Sequence, residues 1–202
     1  RLAAELADHL ETIDDDMYAL KRKDIQARVI DLHRVCSDPG HENLGEFDFA
    51  QTRKSQILDE LVTDLLSDPS EKVIIWTRFV GTARRVWERY SDKYGAVLLI
   101  GGSSGTPQDL NEDGRRLLVA TTQMGSSIDL TAARNAIYES LDEVSRNFVQ
   151  SLARINRSGQ TRDCRYWLLV STNTVEEGVH ERVMEKMEHS EGVLSEIGLP
   201  GH

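Results

Sequence analysis

The 202-residue chain predicts an α/β fold with a parallel central sheet covered by helices on both faces, preceded by N-terminal helices. Two observations carry that expectation. Short unbroken apolar runs such as "KVIIW" have the character of strands buried on both faces. They alternate with longer amphipathic stretches of helical period, which is the pattern of βαβ units. In sheets of this kind the functional loops are expected at the carboxyl ends of the strands.

Taken in order, Leu2, Leu6, Leu10 and Ile13, then Leu20, Ile25, Val29 and Leu32, recur at three- to five-residue steps and predict one or two long helices over 1–36. The text "SDPGHENLGEFDFA" over 37–50 has Pro, Gly and Asn without periodicity and reads as a loop. The main domain is expected over 51–202. It opens with the amphipathic helix "QTRKSQILDELVTDLLSD", followed by the strand "KVIIW", the helix "VGTARRVWERYSDKYG" and the strand "AVLLI". The strands "RRLLVAT" and "NAIY", the helix "EVSRNFVQSLARINR", the strand "RYWLLV" and the closing helix "TVEEGVHERVMEKMEHS" complete it.

Composition removes several function classes. With 24 Lys and Arg against 34 Asp and Glu the formal charge is −10. That disfavours a stand-alone nucleic-acid binder but leaves room for a local basic strip. Cys36 and Cys164 form no CxxC pair, which argues against a disulfide framework or a zinc site and suits a reducing compartment. The histidines His9, His33, His41, His180, His189 and His202 make no metal-ligand spacing, so no metal centre is expected. No apolar run approaches the ~20 residues needed to cross a bilayer, and no G-x-S-x-G elbow occurs. Trp76, Trp87 and Trp167 fall in apolar runs and are expected in the core. The chain begins with Arg rather than Met, so a piece of a longer protein is expected.

Polar groups follow the strands. Thr77 and Arg78 leave "KVIIW"; the glycine- and hydroxyl-rich turn "GGSSGT" follows "AVLLI"; and "TQMGSSIDLTAA", with Gly125 and Asp129, follows Thr121. Free backbone N–H groups in such turns can hold a phosphate, although a plain turn, and a helix cap for Asp129, explain the same residues. The stretch "QSLARINRSGQ" is harder to explain by folding alone. Gln150, Arg154 and Arg157 stand at i, i+4 and i+7 and are expected to share one helix face. Leu152 and Ile155 read as core, which leaves the arginines at an edge, and planar guanidinium groups match phosphate oxygens.

"QSLARINRSGQT" resembles the Q-x-x-x-R-x-x-R-x-G-Q signature that forms the sixth motif of superfamily 2 helicases of the Swi/Snf type. "KVIIWTRF" is similar to the fourth motif of that family, and "LLVATTQMGSSIDLTAARNAIY" to the fifth. "RYWLLVSTNTVEEGVHERVMEK" looks like the segment after the sixth, while "ARVIDLHRVCSDP" and "KSQILDELVTDLL" look like those ahead of the fourth. The likeness runs in order from about 25 to 190, and this co-linearity is its strength.

The resemblance implies the second, C-terminal RecA-like lobe of an ATP-driven DNA translocase or helicase. Arg154 and Arg157 would be arginine fingers toward ATP, with Gln150 helping to place them, and Asp129 with Gly125 would lie near the nucleotide. Thr77, Arg78, Ser103, Thr121 and Thr122 would contact the DNA backbone without reading sequence. No G-x-x-x-x-G-K-[ST] occurs in the chain. ATP and Mg2+ would therefore be bound mainly by an N-terminal RecA-like lobe of the same protein, and this piece would not hydrolyse ATP alone. Met124 and Ser127 stand where the fifth motif commonly has Gly, and Asn156 replaces the usual His of the sixth. The absence of room for large insertions between 70 and 180 fits a compact bacterial, archaeal or viral version, with a nuclear protein as the other expectation. A different class, a non-catalytic lobe that docks DNA or a partner protein, uses the same fold.

Overall fold

The computed structural model of the chain describes residues 15–38, 48–102, 105–124 and 128–188. Helix α1 spans Asp15–Ser37, α2 Arg53–Leu65 and β1 Val73–Thr77; α3 spans Val80–Tyr94, β2 Val97–Leu99 and β3 Leu117–Thr121. The chain continues through β4 (Asn135–Tyr138), α4 (Ser145–Ile155), β5 (Arg165–Leu168) and α5 (Val175–Glu188). Each expected strand and helix of 51–188 is present, with ends displaced by a few residues.

The five strands form one sheet in the order β2-β3-β1-β4-β5, and every pairing is parallel. All residues of β1, β3 and β4 are buried, as unbroken apolar runs require. Because side chains alternate across a strand, the two faces of β1 feed separate cores. Ile74 and Trp76 pack with Phe148, Leu152 and Ile155 of α4 and Val179 and Val183 of α5. Val73 and Ile75 pack with Leu58 and Val62 of α2 and Ala83, Val86 and Tyr90 of α3. The result is the three-layer RecA-like α/β arrangement.

Local chemistry sets the ends of these elements. Thr52 caps α2 by accepting from the Ser55 amide at 3.1 Å. Gly95 stops α3 in the left-handed region at φ 58°. Asp48 caps a short 3-10 turn, Phe49–Gln51, inside the stretch expected to be a loop; residues 39–47 of that stretch lie outside the described residues.

Helix α1 is bound to the main domain through polar groups. The Ser37 hydroxyl donates to Glu139 Oε2 at 2.7 Å and lies 3.3 Å from Thr82 Oγ1, and Arg85 pairs with Asp38 at 2.7 Å. The outward side of the same helix leaves Ile25 and Leu32 exposed.

Candidate functional site

The expected site residues fall at opposite ends of the sheet. A helix connecting two parallel strands runs antiparallel to them, so the end of α4 lies beside the amino ends of β4 and β5 rather than at the carboxyl ends where function was expected. Helix α4 closes at Ile155, with Asn156 as its C-cap. Gln150 and Arg154 are therefore on the helix, and Arg157 is in the turn beyond it. The expectation of three residues on one helical face is corrected accordingly: Asn156, at φ −87° and ψ 83°, ends the helical path before Arg157.

Asp129 lies at that same end, in the segment that leads into β4. The Leu130 amide donates to the Arg154 carbonyl at 3.1 Å. Gln160 binds the loop from the other side, its Nε2 donating to Thr131 O at 3.1 Å and to Ala133 O at 2.9 Å. Its own amide donates to Arg157 O at 2.9 Å, and its Oε1 accepts from the Arg162 amide at 3.1 Å. The arginine segment and the Asp129 loop thus form one hydrogen-bonded unit. Buried Leu130 and Ala133 anchor it in the core.

The electrostatics follow from this arrangement. The Thr131 amide and hydroxyl bind Asp129 Oδ1 at 2.9 and 2.8 Å and hold its carboxyl below the usual range, and Arg157 pulls it further down. Arg154 shifts downward through partial burial first and then through the neighbouring Arg157 charge. Two guanidiniums whose charges act on each other suit a polyanion such as a triphosphate. Among the described residues no group of three His, Cys, Asp or Glu could hold a metal ion.

At the carboxyl ends, Thr77, Thr121 and Thr122 are buried, and the Thr77 hydroxyl donates to Phe79 O at 3.1 Å. Arg78 turns inward, its guanidinium 3.0 Å from His33 Nδ1 of α1 and 3.2 Å from Glu143, and its side chain is 12% exposed. Guanidinium groups only donate, so Nδ1 of His33 is the acceptor and its proton sits on Nε2. Ser103 and Gly125 lie outside the described residues.

Sequence reasoning missed the buried polar cluster beneath α1. Lys54 Nζ donates to Glu176 Oε1 at 2.6 Å and lies 3.6 Å from Glu139 Oε1, while Glu176 Oε2 accepts from the Ser171 amide at 2.8 Å. Burial pushes the Glu139 carboxyl up and the His33 imidazole down to about 4. These residues come from four separate segments, so no local spacing announces them. Only the "T-V-E-E" text around Glu176 offered a signal.

No family model matches the chain. A curated relative, the "Uncharacterized ATP-dependent helicase YqhH" of Bacillus subtilis, is 29% identical over 151 residues, which is 72% of this chain and 27% of that protein. The solved C-terminal part of the Fun30 ATPase domain superposes with a TM-score of 0.63 at 22% identity, covering 76% of this chain and 53% of that one. The fold, together with the order of the segments that resemble motifs four, five and six, makes this chain similar to C-terminal RecA-like lobes of the Swi/Snf type. The lobe also superposes on the Sulfolobus solfataricus SWI2/SNF2 ATPase core in complex with dsDNA, with a TM-score of 0.67 at 20% identity over 96% of this chain and 42% of that one. The chain spans about a quarter of the length of the curated helicase it matches. Among the described residues no helix is long and apolar enough to cross a membrane.

Proposed function

We propose that this lobe is the C-terminal half of an ATP-dependent DNA translocase or helicase, which presents Arg154 and Arg157 to ATP bound by an N-terminal RecA-like lobe. The observation that carries this reading is the unit joining Asp129, Arg154, Arg157 and Gln160. The Leu130 to Arg154 hydrogen bond and the two Gln160 bonds hold the backbone carrying the two arginines against the loop of Asp129, whose carboxyl feels the Arg157 charge. ATP supplies the phosphoryl group when bound, and the two guanidiniums supply fixed positive charge for its developing negative charge. Such fingers are worth on the order of 10³ or more in rate.

Gln150, half-buried one turn before Arg154, supports the arginine's direction. Asp129, with Gly125 in the same loop, is assigned to the nucleotide edge. DNA is held at the carboxyl ends by backbone groups near Thr77, Thr121 and Thr122, since the buried threonine side chains are closed to a phosphate. On this reading the lobe alone does not turn over ATP, because the lysine and acids of the phosphate cradle belong to the other lobe.

The test is DNA-stimulated ATP hydrolysis by the parent protein that carries this lobe, comparing wild type with Arg154→Ala and Arg157→Ala at matched folding. Collapse of turnover with nucleotide binding largely retained supports the proposal. Unchanged turnover sinks it and favours a lobe that only docks DNA or protein.

A further inference from the structure

The inward turn of Arg78 leaves the carboxyl end of β1 without the cation the sequence assigns to it. The structure supplies others from neighbouring elements. Phe79, directly after Arg78, is half-buried, and the Arg34 guanidinium of α1 lies 5.4 Å from its ring centroid. Arg34 is 33% exposed against 12% for Arg78, and its ion-pair partner is Asp31, an α1 residue 69% exposed. A pair so open to water is weak and is readily exchanged for a phosphate oxygen.

Two further cations extend this position. Lys23 stands eleven residues before Arg34, three helical turns away on the same face of α1, and is exposed. Arg84 is exposed on the first turns of α3, between Thr82 and Arg85, which contact Ser37 of α1 and Asp38 just after it. Among the lobe's acids near α1, Asp38 pairs with Arg85, Glu143 with Arg78, and Glu139 and Glu176 with Lys54, while Asp24 and Asp31 of α1 itself are exposed. On a chain of net charge −10 the strip is a local exception.

We infer that Arg34, with Lys23 and Arg84, forms a phosphodiester-binding strip contributed mainly by α1, and that Arg34 rather than Arg78 is the outward cation at the end of β1. This rests on the DNA-translocase reading and assigns its DNA-facing cations. Arg78 instead locks α1 to the lobe through His33, so docking of α1 both buries one arginine and presents another. The ligand is the nucleic-acid backbone, because the strip has spaced cations and no array of donors and acceptors shaped to read a base edge.

The experiment measures affinity of the parent protein for a labelled random-sequence duplex across a salt series, for wild type, Lys23→Gln/Arg34→Gln/Arg84→Gln, Arg34→Lys and Arg78→Gln. Removing one cation from a phosphate should flatten the slope of log affinity against log salt by about 0.9. The triple variant is therefore expected to lose roughly 2 to 3 units of slope, while Arg34→Lys, which keeps the charge, retains the wild-type slope. A triple variant with the wild-type slope, or a loss confined to Arg78→Gln, overturns the inference while leaving the motor reading intact. A wild type without salt-dependent DNA binding overturns both this strip and the DNA part of the proposed function. ATP turnover of Arg154→Ala, read separately, tells that failure from a failure of the arginine fingers.

Discussion

The backbone amide of Leu130 donates to the carbonyl of Arg154 at 3.1 Å, so the loop carrying Asp129 and the end of the helix carrying the arginines are held as one piece. A buried leucine, 1% exposed, serves as the pin. Leu130→Ala removes the packing while keeping the amide, and large-to-small changes at such sites cost about 2–5 kcal/mol. Chemical denaturation of the lobe is expected to show a loss in that range. Turnover of the parent protein should fall as well, since the helix end loses its fixed partner.

Gln160 makes the complementary attachment, and its replacement separates geometry from stability. Gln160→Ala deletes two donors to the Thr131 and Ala133 carbonyls, for an expected loss of about 1–3 kcal/mol. Gln160→Glu keeps size but cannot donate, so it should behave like the alanine variant. Unfolding midpoints for the two variants within a few tenths of a molar of wild-type urea would contradict the assigned bonds.

Acid sensitivity should trace to His33. Its imidazole is held near 4 chiefly by burial, against 6.5 in the unfolded chain. Between those values the unfolded state binds the extra proton. Stability is therefore fully present above about pH 6.5 and is lost as pH falls toward 4, by at most about 3 kcal/mol. Glu139 acts in the opposite direction because burial raises its carboxyl, so the difference between wild type and His33→Gln isolates the histidine. Urea midpoints from pH 7 to 4 should decline less steeply in the variant, which keeps an acceptor for Arg78 but has no proton to gain.

Gly95 ends α3 at φ 58°, and a Cβ built there would come within 2.3 Å of the Gly114 carbonyl oxygen. Gly95→Ala adds a left-handed penalty to a collision with backbone, for a destabilisation of roughly 2 kcal/mol or more. Thermal unfolding of the variant should show a clear drop in midpoint. An unchanged midpoint would mean that the turn between α3 and β2 relaxes freely.

The order of strands and helices was determined by the sequence itself. "NAIY" is strand β4 to the residue, and "KVIIW" and "RRLLVAT" are β1 and β3 with ends displaced by one or two positions. Burial on both faces imposes continuous apolar runs, and such runs are visible one residue at a time. The spacing of Gln150, Arg154 and Arg157 is a local pattern too, but its helix repeat holds only for the first two, since the helix ends at Ile155. The tertiary structure decided where those residues stand. It ended α4 at Ile155, carried Asp129 to the amino ends of the strands, buried Thr77, Thr121 and Thr122, and turned Arg78 onto His33. It also assembled Ser37, Lys54, Glu139 and Glu176 beneath α1. Each of these depends on contacts between segments tens of residues apart, formed when apolar faces close and buried polar groups must find partners wherever the fold brings them.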